Sequence, residues 1–112
     1  MTGVLTNKTK LSIVVPVLNE RDCITTFIKH LKTQWCQPQE LIFVDGGSTD
    51  GTWEWLQKQD VTAYRSPQGR AVQMNAGAEQ ASGNLYYFIH VDSTLPYHFD
   101  QTLLHWLPSK SR

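Results

Sequence analysis

The stretch Leu11 to Leu18, LSIVVPVL, limits the possible folds more than any other part of the chain. It is apolar at almost every step and rich in β-branched residues, so it lacks the alternation of a strand with one wet face. Such a run suits a strand covered on both sides, as in a parallel sheet packed between layers of helix. The rest of the chain meets that requirement. Ile24, Phe27, Ile28, Leu31 and Trp35 recur at helical spacing, with Asn19 placed as an N-cap and Glu20 and Asp22 in the first turn. Pro38 sets a limit to that helix. A second strand, Leu41 to Asp45, leads through Gly46 and Gly47 to a helix that Ser48 or Asp50 can cap and that turns Trp53 and Leu56 inward. A weaker strand spans Val61 to Arg65, and Ala71 to Ala81 reads as a helix of small residues closed by Gly83 as a left-handed C-cap. The last strand, NLYYFIHVD, ends at Asp92, and Pro96 opens a helix with Phe99, Leu103, Trp106 and Leu107 on one face. Strand and helix alternate throughout. Right-handed crossovers then give a mainly parallel sheet in a three-layer α/β/α sandwich.

With 112 residues the chain is expected to form a single domain, 1–112, with a flexible amino-terminal segment over residues 1–10. The formal net charge is zero, which gives no support to a nucleic-acid partner or to an anionic membrane surface. No apolar run approaches the ~20 residues of a membrane-spanning helix, and MTGVLTNKTK lacks the apolar core of a secretion signal. No transmembrane segment is therefore expected, and the cytoplasm is the expected location. The two cysteines, Cys23 and Cys36, read as free thiols.

In open α/β sheets, ligands bind outside the carboxyl ends of the strands, where the strand order reverses. Asn19 with Glu20, Asp45, Arg70, and His90 with Asp92 all fall at such ends or just beyond them. Gly46 and Gly47 let a ligand or a neighbouring backbone come close. Two readings of Asp45 stand side by side. It is held against a ligand, or it caps the following helix while the glycines merely permit the turn.

The blocks LSIVVPVLNE, ELIFVDGGSTDGT and GRAVQMNAGAEQASGNLYYFIHVDSTLP, at this joint spacing, resemble the amino-terminal half of family 2 glycosyltransferases. These are inverting enzymes of the A-type glycosyltransferase, or nucleotide-diphospho-sugar transferase, fold. More narrowly, the Gly-Arg-Ala-x-Gln-Met-Asn-Ala-Gly block followed by His-x-Asp is similar to the bacterial branch named for its association with radical-SAM and selenium-related genes. The resemblance implies a nucleotide-diphospho-sugar donor and transfer of the hexosyltransferase type. It puts Pro16, Asn19 and Glu20 beside the base and ribose. It makes Asp45 the first acid of an Asp-Asp-Gly-Ser motif whose second position is Gly46 here, which leaves the base open. Arg70 would lie near the base or the diphosphate, with Asn75 on the helix behind it. His90-Val91-Asp92 fills the Asp-x-Asp slot, in which Asp92 binds the divalent cation, Mn²⁺ or Mg²⁺.

Physical chemistry supports part of this. A departing diphosphate gains negative charge, and a hard cation neutralises it while taking only one or two protein carboxylates. Asp92 alone would suffice. His90 offers a softer nitrogen that Mn²⁺ tolerates better than Mg²⁺, or it hydrogen-bonds ribose or phosphate. Against these stand the structural readings, Asp92 as a cap for the helix near Pro96 and His90 as a satisfied strand-end residue. His30, His98 and His105 have no metal-ligand spacing and read as surface or packing residues. Trp53 and Trp106 read as core, and Trp55 as off that face. Inverting transfer also needs a base for the acceptor hydroxyl. The only acid after His-x-Asp is Asp100, on the expected terminal helix, and it is not assigned that role. The expectation is a fold truncated after its donor-binding half, with the acceptor half and catalytic base missing from this chain and little or no transfer activity of its own. A companion chain or a homodimer would complete it, or the chain is a non-catalytic nucleotide-binding or interaction module.

Overall fold

A computed structural model describes residues 10–110, the side chains of residues 105–110 excepted. The amino-terminal residues expected to be flexible, and the side chains of His105, Trp106 and Leu107, lie outside that description. Among the described residues the chain alternates without exception: β1 (Leu11–Val17), α1 (Arg21–Gln34), β2 (Glu40–Asp45), α2 (Thr52–Gln57), β3 (Thr62–Arg65), α3 (Arg70–Gln80), β4 (Leu85–Phe88) and α4 (Phe99–Lys110). The four strands run parallel in the order β3-β2-β1-β4. The order grows in one direction from β1 to β3, then reverses to place β4 on the other side of β1. That reversal opens a crevice between the carboxyl ends of β1 and β4.

The two faces of β1 separate the layers. Leu11, Ile13, Val15 and Val17 share a core with Ile24, Phe27, Ile28 and Leu31 of α1, Leu56 of α2 and Phe99 of α4. Val14, on the opposite face, packs with Ile42 and Val44 beneath α3. All seven residues of β1 are buried, which is why its sequence shows no alternation. Gly77 lets α3 lie close to this second face, since a Cβ there would fall 2.4 Å from Val14 Cγ1 and 3.0 Å from Val44 Cγ2. On the same face of edge strand β4, Tyr86 and Phe88 remain 43% and 41% exposed. No helix among the described residues is long and apolar enough to cross a membrane.

Several local expectations are corrected. Asn19 is not the N-cap of α1. It takes a left-handed conformation (φ 53°), and Glu20 holds the cap position without a side-chain bond. Donors at the start of α1 are satisfied from the loop after β2 and the first residue of α2: Arg21 N–H donates to Asp50 Oδ2 (3.0 Å) and Glu20 N–H to Thr52 Oγ1 (3.0 Å). Two short oxygen-bearing side chains from a nearby segment, Asp50 and Thr52, thus replace the local cap. Gly51, at φ 96°, holds the cap position of α2, and Asp50 accepts from Thr52 N–H one residue ahead of it. Gly83 is not a left-handed C-cap, because α3 ends at an extended Ala81. Gly83 is instead required by proximity, as a Cβ would sit 2.4 Å from Ser12 Oγ and 2.6 Å from Lys10 O.

Trp53 and Trp55 exchange their expected roles. In so short a helix, Thr52 and Leu56 define the buried stripe, and Trp55 is the tryptophan that packs against the main core. Trp53 is half-buried beneath the Arg65 guanidinium, 4.7 Å from its ring centre. The last helix begins at Phe99 rather than Pro96.

Candidate functional site

The crevice between β1 and β4 holds a cleft of about 240 Å³ lined by Pro16, Val17, Leu18, Glu20, Gln68, Gly69, Arg70, Gln73 and His90. Four of the residues singled out in the sequence, Pro16, Glu20, Arg70 and His90, therefore meet there. Pro16 and Val17 reach it because they end a central strand, Glu20 because the chain turns at Asn19, and His90 because β4 stops at Phe88. Arg70 is the first residue of α3 and is exposed. Among the described residues no carboxylate pairs with it. A free guanidinium at a helix amino terminus favours an anion.

Besides Arg70 the cleft carries acid and imidazole. His90 Nε2 lies 3.5 Å from Glu20 Oε2, and His90 Nδ1 lies 2.8 Å from Asp92 Oδ1. The imidazole thus bridges two carboxylates from different strand ends. The Asp92 side chain is 82% exposed and caps no helix. Among the described residues no group of three or more His, Cys, Asp or Glu side chains is arranged to hold a metal ion. The donor set at Asp92 and His90 is sparse. It fits a hard cation that takes most of its ligands from phosphate and water.

Asp45 is fully buried and stands behind the cleft rather than on its wall. Its Oδ1 accepts from Gly47 N–H and Ser48 N–H, both at 2.7 Å, which shapes the turn after β2. Its Oδ2 is buried without a partner, the only such side-chain atom among the described residues. Asn19 also works within the loops: its Oδ1 accepts from Thr49 N–H (2.8 Å), and its own N–H donates to Ser48 Oγ (2.8 Å). Polar residues of the segment GGSTDGT, with Asp45, thereby fasten the two loops on this rim. Asn75 does not reach the cleft. It is exposed and lines a separate groove with Tyr64, Arg65 and Glu79.

Gln73 is the cleft residue that sequence reasoning missed. It is 4% exposed, and its carboxamide binds the backbone of β1, β2 and the turn before Arg70. The signal was its position, midway between Gly69 and Gly77 at helical spacing. A polar side chain on that buried stripe must be hydrogen-bonded. Asp100 lies at the opposite end of the sheet, where it accepts from Cys36 N–H (2.6 Å), Gln37 N–H (3.2 Å) and Gln39 Nε2 (2.8 Å). Burial pushes its carboxyl up, but those donors outweigh burial and hold it below the usual range.

A parallel sheet with a reversal beside β1 and a cleft at that point is a doubly wound α/β arrangement, and its likeness to solved glycosyltransferases makes it the A-type glycosyltransferase fold. Two solved structures share it. The chain superposes on Staphylococcus aureus TarS 1-349 in complex with UDP with a TM-score of 0.74 at 21% identity, covering 92% of this chain and 33% of that one. It superposes on the mannosyltransferase PcManGT from Pyrobaculum calidifontis, in complex with GDP-Man and Mn²⁺, with a TM-score of 0.68 at 23% identity, covering 87% and 31%. Residues 12–110 match the family described as Glycosyl transferase family 2, and the chain belongs to that family. A PGL/p-HBAD biosynthesis glycosyltransferase of Mycobacterium bovis is 31% identical over 91 residues, 75% of this chain and 36% of that protein. The chain thus spans about a third of the relative it matches.

Proposed function

We propose that the chain binds a nucleotide-diphospho-sugar in the cleft between β1 and β4 and forms the donor-binding part of an inverting glycosyltransferase. The observation that carries this reading is Arg70, a cation at the start of α3 without a carboxylate partner among the described residues, lining one cleft with Glu20 and His90 at the strand reversal. Arg70 and the first turn of α3 would hold the diphosphate. Pro16 and Glu20 would flank the nucleoside. Asp45 and Asn19 would act through the loops they shape. Asp92, assisted by His90, would hold Mn²⁺ or Mg²⁺, which neutralises charge on the leaving diphosphate. Asn75 is left outside this arrangement.

The Gly-Arg-Ala-x-Gln-Met-Asn-Ala-Gly block supports the bacterial branch associated with radical-SAM and selenium-related genes. The cytoplasm, where nucleotide sugars are at hand, is the proposed location. The base that deprotonates the acceptor is to be sought outside this domain, in further polypeptide or a companion chain. The exposed Tyr86 and Phe88 on the β4 edge are where such a partner would rest.

Calorimetric titration with UDP and with GDP, with and without Mn²⁺, tests the reading on wild type, Arg70→Ala and Asp92→Ala. Binding strengthened by Mn²⁺ is expected, lost in Arg70→Ala and made metal-independent in Asp92→Ala. Absence of binding by wild type to either nucleotide under both conditions would refute it.

A further inference from the structure

We propose that Gln73 is the positioning residue of the cleft and that Gly46 is its necessary counterpart, the two residues sharing the volume of one side chain. The functional half of this inference rests on the donor-binding reading above. Gln73 Nε2 donates to Val17 O (3.0 Å) and to Val44 O (2.9 Å), so both hydrogens of the carboxamide are used on the ends of neighbouring strands. Its Oε1 accepts from Gly69 N–H (3.2 Å) in the turn that precedes Arg70. One buried side chain therefore ties together three backbone segments, two that line the cleft and the end of β2 behind it. Among the described residues no other side chain hydrogen-bonds the start of α3 to the strand ends, and apolar packing, being non-directional, would fix its position poorly.

Gly46 makes this possible. A Cβ at position 46 would lie 2.6 Å from Gln73 Oε1, 2.7 Å from its Cδ and 3.0 Å from its Nε2. Real Cβ atoms do not approach so closely, so any larger residue at 46 displaces the carboxamide from the carbonyls it serves. The Gly46 amide itself donates to Val17 O (3.0 Å), which keeps that carbonyl at the centre of the junction. The space that a side chain at 46 would take is thus filled by the Gln73 carboxamide. That group spends its donors on the backbone and sets the placement of Arg70 rather than touching the ligand.

Four variants of the full chain test this: Gln73→Met, which keeps the shape and loses the hydrogen bonds, Gln73→Ala, Gly46→Ala, and Gly46→Ala with Gln73→Ala. Each is measured by circular dichroism, by amide hydrogen exchange at Gly69 and Gly46, and by UDP titration. All should stay folded. Gln73→Met and Gly46→Ala should each speed exchange at Gly69 and weaken UDP binding by roughly three- to tenfold. Gly46→Ala should add nothing once Gln73 is alanine, because the clash has gone. Wild-type exchange and affinity in Gln73→Met, additive effects in the double variant, or global unfolding in place of a loosened Gly69 turn would each overturn the proposal. If wild type binds no UDP, the donor reading fails, while exchange and the double variant still decide the pairing of Gln73 with Gly46.

Discussion

Replacing Gly77 by alanine pits helix propensity against packing. In an exposed helix the change would stabilise the chain by about 1 kcal/mol. At Gly77 the new methyl would meet Val14 Cγ1 at 2.4 Å and Val44 Cγ2 at 3.0 Å, and both valines are fully buried in the central strands. An ordinary carbon contact is about 3.5–4.0 Å, so α3 would have to lift by about 1 Å. The two bonds that hold it to the sheet, from Gln73 Nε2 to Val17 O and Val44 O, are already 3.0 and 2.9 Å long. A lift of that size would stretch them beyond useful range. Overpacking costs about 1–3 kcal/mol and each lost hydrogen bond about 1 kcal/mol. The gains are about 1 kcal/mol of propensity and about 0.8 kcal/mol for a buried methyl. The net is a destabilisation of about 2 kcal/mol, or a melting temperature lower by about 10 °C in a domain of this size. Thermal unfolding followed by circular dichroism measures it. Asn75→Ala, on the exposed face of the same helix, serves as the control and should raise stability slightly. A Gly77→Ala chain that melts at or above wild type would refute the close approach of α3 to the sheet.

Acid should unfold the chain through particular carboxylates. Burial pushes Asp100 and Glu40 up, but the donors around them outweigh it: Cys36, Gln39 and Gln37 for Asp100, and Ser12, Ser82 and Gly83 for Glu40. Both are therefore held below their ordinary values when folded. The unfolded chain binds protons first as pH falls, so the stability they contribute is complete above the ordinary carboxylate range of about 4 and is lost below it. Denaturant midpoints measured from pH 7 to pH 3 should fall, and Asp100→Asn should start lower at pH 7 by about 1–3 kcal/mol and vary less with pH. An unchanged slope in Asp100→Asn would remove Asp100 from the account. The thiols should also differ. Burial, together with the hydrogen bond to Glu20, pushes the Cys23 thiol up, whereas Cys36 is exposed. Iodoacetamide at pH 8 should modify Cys36 first, as read by peptide mass, and faster labelling of Cys23 would contradict its placement.

Where chemistry recurs with a period, the sequence alone was enough. The unbroken apolar run of β1 required cover on both faces, the helical stripe of α1 supplied part of it, and their alternation implied the parallel sheet. The ends of those strands then located Glu20, Arg70 and His90 on one rim, because topology follows from the order of elements, and the family resemblance added Pro16. Tertiary structure decided what depends on distance between remote segments. Asn19 looked like a cap from its neighbours, yet Asp50 and Thr52 of another loop took over that task. Trp55 rather than Trp53 faced the core because helix α2 is too short for a periodic pattern to declare itself. Asp45 withdrew behind the cleft, and Asn75 turned to another groove. Gln73 came to share one volume with Gly46, although the two lie far apart in the chain. Periodicity is a local property of the backbone and can be read along the sequence. The competition of two side chains for one space exists only once the chain has brought them together.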